Sequence, residues 1–266
     1  MLLVLNIGNT NMVLGLFRGN RLLSTCRLTT RPAITPDECF LLVKDLVGAY
    51  GPNRAGNTPP RIEEIKGVVL SSVVPSLTPS FEEMAKRFLN LKPLTVSHRI
   101  KTGIKILYQD PSQVGGDRIA NAVAAYTKYG GPIIALDLGT ATTFDVISKD
   151  GKYLGGVIAP GLKTSADHLF RIAARLPQVE LRFPERVIGR TTETAIQSGV
   201  LFGTLGQIRE ILGRIRRELK DGRVKVVATG GLLPLLSKNL KGIKKDEHLT
   251  LDGLRMLYDI NHSQRK

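Results

Sequence analysis

Two short stretches of this chain have residue types suited to holding an anion: Asn6-Ile7-Gly8-Asn9-Thr10 and Asp137-Leu138-Gly139-Thr140-Ala141. In each, an apolar run feeds a glycine that lets the backbone turn sharply, and small polar side chains flank the turn. Outward peptide N–H groups at such a turn, with Asn or Thr side chains as extra donors, make a concavity that fits phosphate. A single glycine turn also serves any β-hairpin. The duplication argues for more, because two such loops, one at the head of each half, can clamp a polyphosphate from both sides.

The elements that must position these loops repeat as well. A second apolar run follows each turn (Asn11 to Phe17, Thr142 to Ile147), then a tight turn (Arg18-Gly19-Asn20, Lys149-Asp150-Gly151) and a third strand-like run, which predicts an antiparallel meander in each half. In the first half, Thr35-Pro36-Asp37-Glu38 has the form of a capping box with proline in the first helical position, and predicts a helix to about Tyr50. A Gly/Pro/Asn-rich surface loop over 51–60, a buried strand over 65–74 and a helix over 76–91 follow. In the second half a helix is expected from Asp117 to Tyr129, stopped by Gly130-Gly131-Pro132, with three strands between Ile133 and Ile158. One or two long helices fill Thr191 to Leu219, where Gly199, Gly203 and Gly206 are spaced to allow close backbone packing. A strand over 223–229 ends at Gly230-Gly231. VVLSSVVPSL in one half thus answers VVATGGLLPLL in the other, and each half reads β-β-β, helix, β, helix around a mixed sheet, an α/β plan.

Composition narrows the function classes. A chain of 266 residues can form one large domain or two moderate ones, and the repeat favours two. Its two cysteines, Cys26 and Cys39, form no disulfide framework and no metal-ligand spacing, which suits a reducing compartment. The apolar run Met1 to Leu5 is too short for a signal peptide and no stretch approaches the ~20 apolar residues of a membrane span, so a cytoplasmic protein without a membrane partner is expected. The net charge of +15 fits either nucleic-acid binding or a positive field that draws in small anions. With no zinc spacing, no RNA-binding aromatic signature and only 5% aromatics, the second reading is favoured and nucleic acid is not expected as a partner. Neither a P-loop nor a dinucleotide-binding glycine fingerprint occurs, and the four histidines (His98, His168, His248, His262) have no mutual ligand spacing.

The duplicated loops resemble those of the superfamily of acetate and sugar kinases, heat-shock chaperone ATPases and actin. Within it the chain is similar to type III pantothenate kinases, through NIGNT at 6–10, SSVVPSL at 71–77, Y-x-D-P at 108–111, VGGDR at 114–118, DLGTATTFD at 137–145, GGVIAPGL at 155–162, LPQVEL at 176–181, AIQSG at 195–199, ATGG at 228–231 and LTLDGL at 249–254. The resemblance implies two similar actin-like, ribonuclease H-like domains, 1–118 and 119–266, each a mixed sheet flanked by helices, with ATP in the cleft between them and the last helix packing back on the first domain. It implies ATP-dependent phosphorylation of pantothenate to 4'-phosphopantothenate, the first step of coenzyme A biosynthesis, by a homodimer that uses Mg²⁺ and a monovalent cation, K⁺ or NH₄⁺. Residue by residue, it makes Asp117 the general base and puts Tyr108, Gly115, Gly116, Asp117, Arg118 and Thr192 around pantothenate. Asn6, Ile7, Gly8, Asn9, Thr10, Asn11, Met12, Val13 and Thr140 fall on ATP, and Asp137 on the monovalent cation. Taken alone, Asp117-Arg118 reads as a helix-start carboxylate with a surface arginine.

Three positions depart from the family pattern. Asn6 stands where the family has Asp, Gly116 where Ala is usual, and Thr191 where Asn is usual. Gly116 is expected mainly to loosen the backbone. Asn6 bears on activity, since an amide keeps the shape of Asp but lacks the charge a hard cation favours, and the internal repeat places an acid, Asp137, at the matching position. The departure supports a second reading, a weak or inactive homologue that binds nucleotide and acts as an accessory protein.

Overall fold

The computed structural model describes residues 1–31, 33–48, 60–173, 176–220 and 222–262. Tyr50 and nearly all of the 51–60 loop therefore lie outside the described residues. The chain divides into two compact units, Met1–Lys128 with His248–Lys266, and Tyr129–Glu247.

The first unit opens with the predicted meander, β1 (Leu2–Ile7), β2 (Asn11–Arg18) and β3 (Arg21–Thr29), all antiparallel. β4 (Gly67–Ser72) pairs parallel with β1, and β5 (Leu94–Thr95) parallel with β4, giving the order β3-β2-β1-β4-β5. Because successive strand residues point to opposite faces, one face collects Leu3, Leu5, Ile7, Leu14, Leu16, Val68 and Leu70. These form one buried core with α1 (Pro36–Gly48) and α2 (Thr78–Leu89), whose Phe40 and Phe88 rings stack at 4.5 Å. The predicted box starts α1: Glu38 accepts from the Thr35 peptide N–H at 2.8 Å, and Thr35 Oγ1 accepts from the Glu38 N–H at 3.2 Å.

The other face of this sheet presents Val4, Asn6, Val13, Gly15, Phe17, Val69 and Ser71. Two helices lie on it, α3 (Gly116–Tyr129) and α7 (Leu249–His262), with a two-residue strand, β6 (Lys105–Ile106), between α2 and α3 in the chain. Leu251 meets Gly15, and the Arg255 guanidinium lies 5.9 Å from the centre of the Phe17 ring. α3 and α7 hold each other through Thr250 Oγ1 donating to Asn121 Oδ1 at 2.7 Å and a Lys128–Asp252 ion pair at 2.7 Å. The first unit takes in α3 as far as Lys128 together with α7, whose Gly253 backbone sits against Ala120.

The second unit repeats the sheet. β7 (Ile133–Leu138), β8 (Ala141–Ile147) and β9 (Lys152–Pro160) are antiparallel, while β10 (Lys225–Thr229) runs parallel to β7 and β11 (Lys244–Lys245) parallel to β10. Ile134, Leu136, Leu138 and Phe144 share a core with α4 (Leu162–Ile172), α5 (Thr192–Leu219) and the short α6 (Leu233–Leu236). Thr192–Leu219 is one helix of 28 residues, buried at Leu201, Leu205, Ile208, Leu212 and Ile215, the spacing of a single helical stripe. Thr191, where Asn is usual, caps it by accepting from the Thr194 N–H at 3.2 Å. Among the described residues the glycines of α5 do not bring backbones together: a side chain built at Gly199, Gly203 or Gly206 would meet nothing within 4 Å there. They lie off the buried stripe, which is why their spacing misled.

Candidate active site

The first loop is set by strand register. Asn6 pairs with Val13 and Ile7 with Met12, leaving Gly8 to Asn11 as the connection. The Gly8 N–H closes it on the Asn11 carbonyl at 3.0 Å, and Thr30, just past β3, binds it from behind: its N–H donates to the Thr10 carbonyl at 2.9 Å and its hydroxyl to the Gly8 carbonyl at 2.6 Å. Two carbonyl acceptors are thereby tied down while Asn9 and Thr10 stay exposed, as an anion cradle requires.

The second loop is built alike. Asp137 pairs with Thr143 and Leu138 with Thr142; the Gly139 N–H donates to the Ala141 carbonyl at 3.1 Å. Here the brace comes from the start of α4, where the Gly161 N–H and Thr164 Oγ1 both donate to the Thr140 carbonyl, at 3.2 and 2.6 Å. Asp137 is half-buried with its carboxylate against Gly230, which has φ +99° and no room for a Cβ. Thr143 and Thr229 flank Asp137 in register on the two neighbouring strands, and both hydroxyls are buried with no hydrogen-bond partner among the described residues. Beyond Thr143 on the same face, fully buried Asp145 accepts from the Tyr153 hydroxyl at 2.7 Å.

Asp117 is the second residue of α3, and its Oδ1 accepts from the Arg118 peptide N–H at 2.8 Å. Burial pushes its carboxyl above the ordinary Asp value, opposed by that N–H and by the Arg118 charge. A carboxylate biased toward taking up a proton suits a general base. What holds it is the contact below: a Cβ at Gly116 would lie 2.8 Å from the Val96 carbonyl oxygen and 2.9 Å from Ser71 Oγ. Gly116 therefore does not loosen the backbone as expected; it lets the start of α3 sit directly on β4.

In the first unit the Asn6 side chain, Ser71 and the Gly116–Asp117 helix start thus share one face of the sheet. Arg118 is buried, 7% exposed, rather than a surface arginine. Tyr108 is half-buried, just ahead of the one-turn 3-10 helix 111–113 that Asp110 caps through the Ser112 N–H at 3.0 Å. In the second unit Thr192 is exposed at the first position of α5 and lines a groove of about 720 Å³ with Pro160, Ser165, Leu169, Gly199 and Gly203; Asp137 and Thr140 are not part of that lining. Sequence reasoning passed over Ser71, Thr143 and Thr229, because only register shows that each stands beside a loop's first polar residue. Among the described residues no group of three or more His, Cys, Asp or Glu could hold a metal ion, and no helix is long and apolar enough to cross a membrane.

The type III pantothenate kinase family model matches residues 2–214. A type III pantothenate kinase of Koribacter versatilis is 45% identical over all of this chain and 98% of its own length. One from Moorella thermoacetica is 45% identical over 98% of this chain and all of its own. Among solved structures, a protein described as a Baf family transcriptional activator from Campylobacter jejuni superposes with a TM-score of 0.59 at 22% identity, covering 98% of this chain and 99% of that one. That likeness shows the fold, whereas the family match and the full-length identities reach further. Two glycine loops each heading a like sheet, a half-buried carboxylate at a helix start and those matches together make this chain a member of the type III pantothenate kinase family.

Proposed function

We propose that the chain moves the γ-phosphoryl group of ATP onto the primary hydroxyl of pantothenate, giving 4'-phosphopantothenate and opening coenzyme A synthesis, with Asp117 as general base. The supporting observation is the placement of Asp117: a carboxyl pushed up by burial, fixed on β4 through Gly116, on the sheet face that also carries Asn6. Phosphoryl transfer asks the protein mostly for alignment and charge neutralisation. The braced loop of residues 8–11 supplies peptide donors for the nucleotide's phosphates, with Asn6, Ile7, Met12 and Val13 on the strands that hold it. Thr140 offers the matching loop in the second unit. Asp117 takes the proton of the hydroxyl as its oxygen bonds to phosphorus and the bond to ADP breaks. Tyr108, Gly115, Gly116, Arg118 and Thr192 are the residues proposed to hold pantothenate.

Mg²⁺ would be carried mainly by the nucleotide's phosphates, and the Asn6 amide oxygen would be the neutral protein group available to it, directly or through water. When bound it neutralises charge on the transferring group. A monovalent cation, K⁺ or NH₄⁺, fits the second loop better, where the Asp137 carboxylate is flanked by two orphaned buried hydroxyls, Thr143 and Thr229. A homodimer is part of the same reading, supported by exposed apolar residues of the second unit, Ile172, Val187 and Ile188, each at least 66% exposed. Two free cysteines, with the Cys39 thiol pushed up to about 12 by burial, suit a reducing, cytoplasmic setting. The test is a coupled ADP-release assay with and without pantothenate, in K⁺ and in Na⁺. Pantothenate-dependent ADP release that needs K⁺ is expected; release indifferent to pantothenate would refute the reading.

A further inference from the structure

We propose that Asn261, near the end of α7, is a positioning residue for pantothenate, acting through the loop that carries Tyr108. The inference rests on the assignment of Tyr108 to pantothenate.

Residues 97–115 leave the first sheet and return to it at one point. Val96, just past β5, donates its N–H to the Leu70 carbonyl of β4 at 2.8 Å. Its own carbonyl oxygen is what a Cβ at Gly116, the first residue of α3, would meet at 2.8 Å. Tyr108 lies between these ends, and a loop that long fixes one of its side chains only if its body is tied down as well. The tie is Asn261. Its Oδ1 accepts from the Lys101 N–H at 3.1 Å and its Nδ2 donates to the Lys101 carbonyl at 2.8 Å, so one amide pairs with a residue's backbone as a neighbouring strand would. Nδ2 also donates to the Leu257 carbonyl at 2.8 Å, which holds the amide on its own helix. The chain then turns at once: buried Thr102 donates its hydroxyl to the Ile104 carbonyl at 2.7 Å. Gly103, at φ +73°, sits where a Cβ would lie 3.3 Å from Ile260 Cδ1, so the turn is seated on α7 as well.

Stability gains little from this clamp. Lys101 is exposed and Asn261 half-buried, so water can replace both bonds once the amide is removed, and bonds of that kind are worth little net. What removal costs is the fixed position of the turn, and with it the placement of Tyr108 four residues beyond Ile104. A substrate contact made from a loosened loop must be ordered at each binding event, which weakens binding of that substrate. The other parts of the site stand on separate supports. Asp117 is fixed through Gly116 on β4, and the loop of residues 8–11 is braced by Thr30. The effect of the clamp therefore falls on pantothenate rather than on ATP or the chemical step.

The experiment compares Asn261→Ala, Gly103→Ala, Tyr108→Ala and Asn20→Ala in the full chain, reading KM for pantothenate, KM for ATP, kcat and Tm. Asn261→Ala is expected to raise KM for pantothenate about tenfold, with kcat and KM for ATP within about twofold and Tm nearly unchanged. Gly103→Ala, which strains the same turn, should move the same constant in the same direction by less. Asn20→Ala takes an acceptor from Arg255 elsewhere on α7 and should leave KM for pantothenate alone. A fall in Tm with KM for pantothenate unchanged in Asn261→Ala would overturn the proposal, as would an equal rise in Asn20→Ala, since either marks a packing role alone. If Tyr108→Ala leaves KM for pantothenate unchanged, the assignment of Tyr108 fails, and this inference with it. A responsive Tyr108 with an unresponsive Asn261 removes this inference only.

Discussion

The two loop-bearing sheets are built on one register and differ at their polar positions. Asn6 pairs with Val13 and Ser71 in the first; Asp137 pairs with Thr143 and Thr229 in the second. Even the β-bulge recurs, between Leu16 and Phe17 and between Val146 and Ile147. The first connection is one residue longer: four residues separate Ile7 from Met12, three separate Leu138 from Thr142. The braces also differ in origin, Thr30 beyond a strand for the first loop and the start of a helix for the second. The scaffold repeats, and the halves differ in the side chains proposed to meet ligand. The second loop has a carboxylate with two hydroxyls, the set proposed for a cation; the first has a neutral amide, and the proposed base, Asp117, is a separate carboxylate at a helix start.

The largest break in that comparison comes from removing the first unit's proposed base. Asp117→Asn should lower kcat by about 10²-fold to 10⁴-fold while calorimetric ATP affinity stays within about threefold. The substitution should also leave Tm at neutral pH unchanged or raised. A raised folded-state pKa means that this group's contribution to stability is fully present below the ordinary Asp value of 3.8 and is lost as pH rises through the folded value, so at neutral pH the ionised group opposes folding. For the same reason kcat/KM should fall with decreasing pH at a point above 3.8, an acid limb absent from residual Asp117→Asn activity. A limb at the ordinary value would argue against a desolvated base.

Next in size is the second loop. Asp137→Asn makes the two loop heads alike as amides and should remove the K⁺-over-Na⁺ preference of the rate, with a loss of about tenfold to 100-fold in K⁺. An undiminished preference would move the cation elsewhere. The reverse exchange, Asn6→Asp, makes them alike as acids; we expect a rate gain of a few-fold and a lower Mg²⁺ requirement, measured by Mg²⁺ titration. The smallest expected effect is Gly116→Ala, which must push Ser71 or the Val96 backbone aside: a drop of about 1–3 kcal/mol in stability by denaturant titration, with kcat reduced more than ATP affinity. A neutral result would show that the helix start yields easily.

Much of this was legible in the residue string, for reasons that can be named. The meanders, the Thr35–Glu38 box and the buried strands follow local rules of capping and hydrophobic pattern, and those rules survived folding because the tertiary contacts agree with them. The base candidate was found through motif resemblance, since Asp117-Arg118 alone resembles any helix start. The α5 glycines misled because periodicity says which residues share a face, not whether anything packs on it. Gly116 was undervalued because its neighbours, Ser71 and Val96, are distant in sequence.

By itself the sequence determined two α/β halves, a glycine loop at the head of each, and a kinase family, because duplicated local patterns and ordered motifs are one-dimensional facts. Only the tertiary structure decided that Asp117 is desolvated, that Asn6 stands beside an orphaned hydroxyl on Ser71, and that Asp137 stands between two more. Burial and register are properties of pairs of residues brought together by parallel strands and a docked helix, and no local pattern states which pairs those will be.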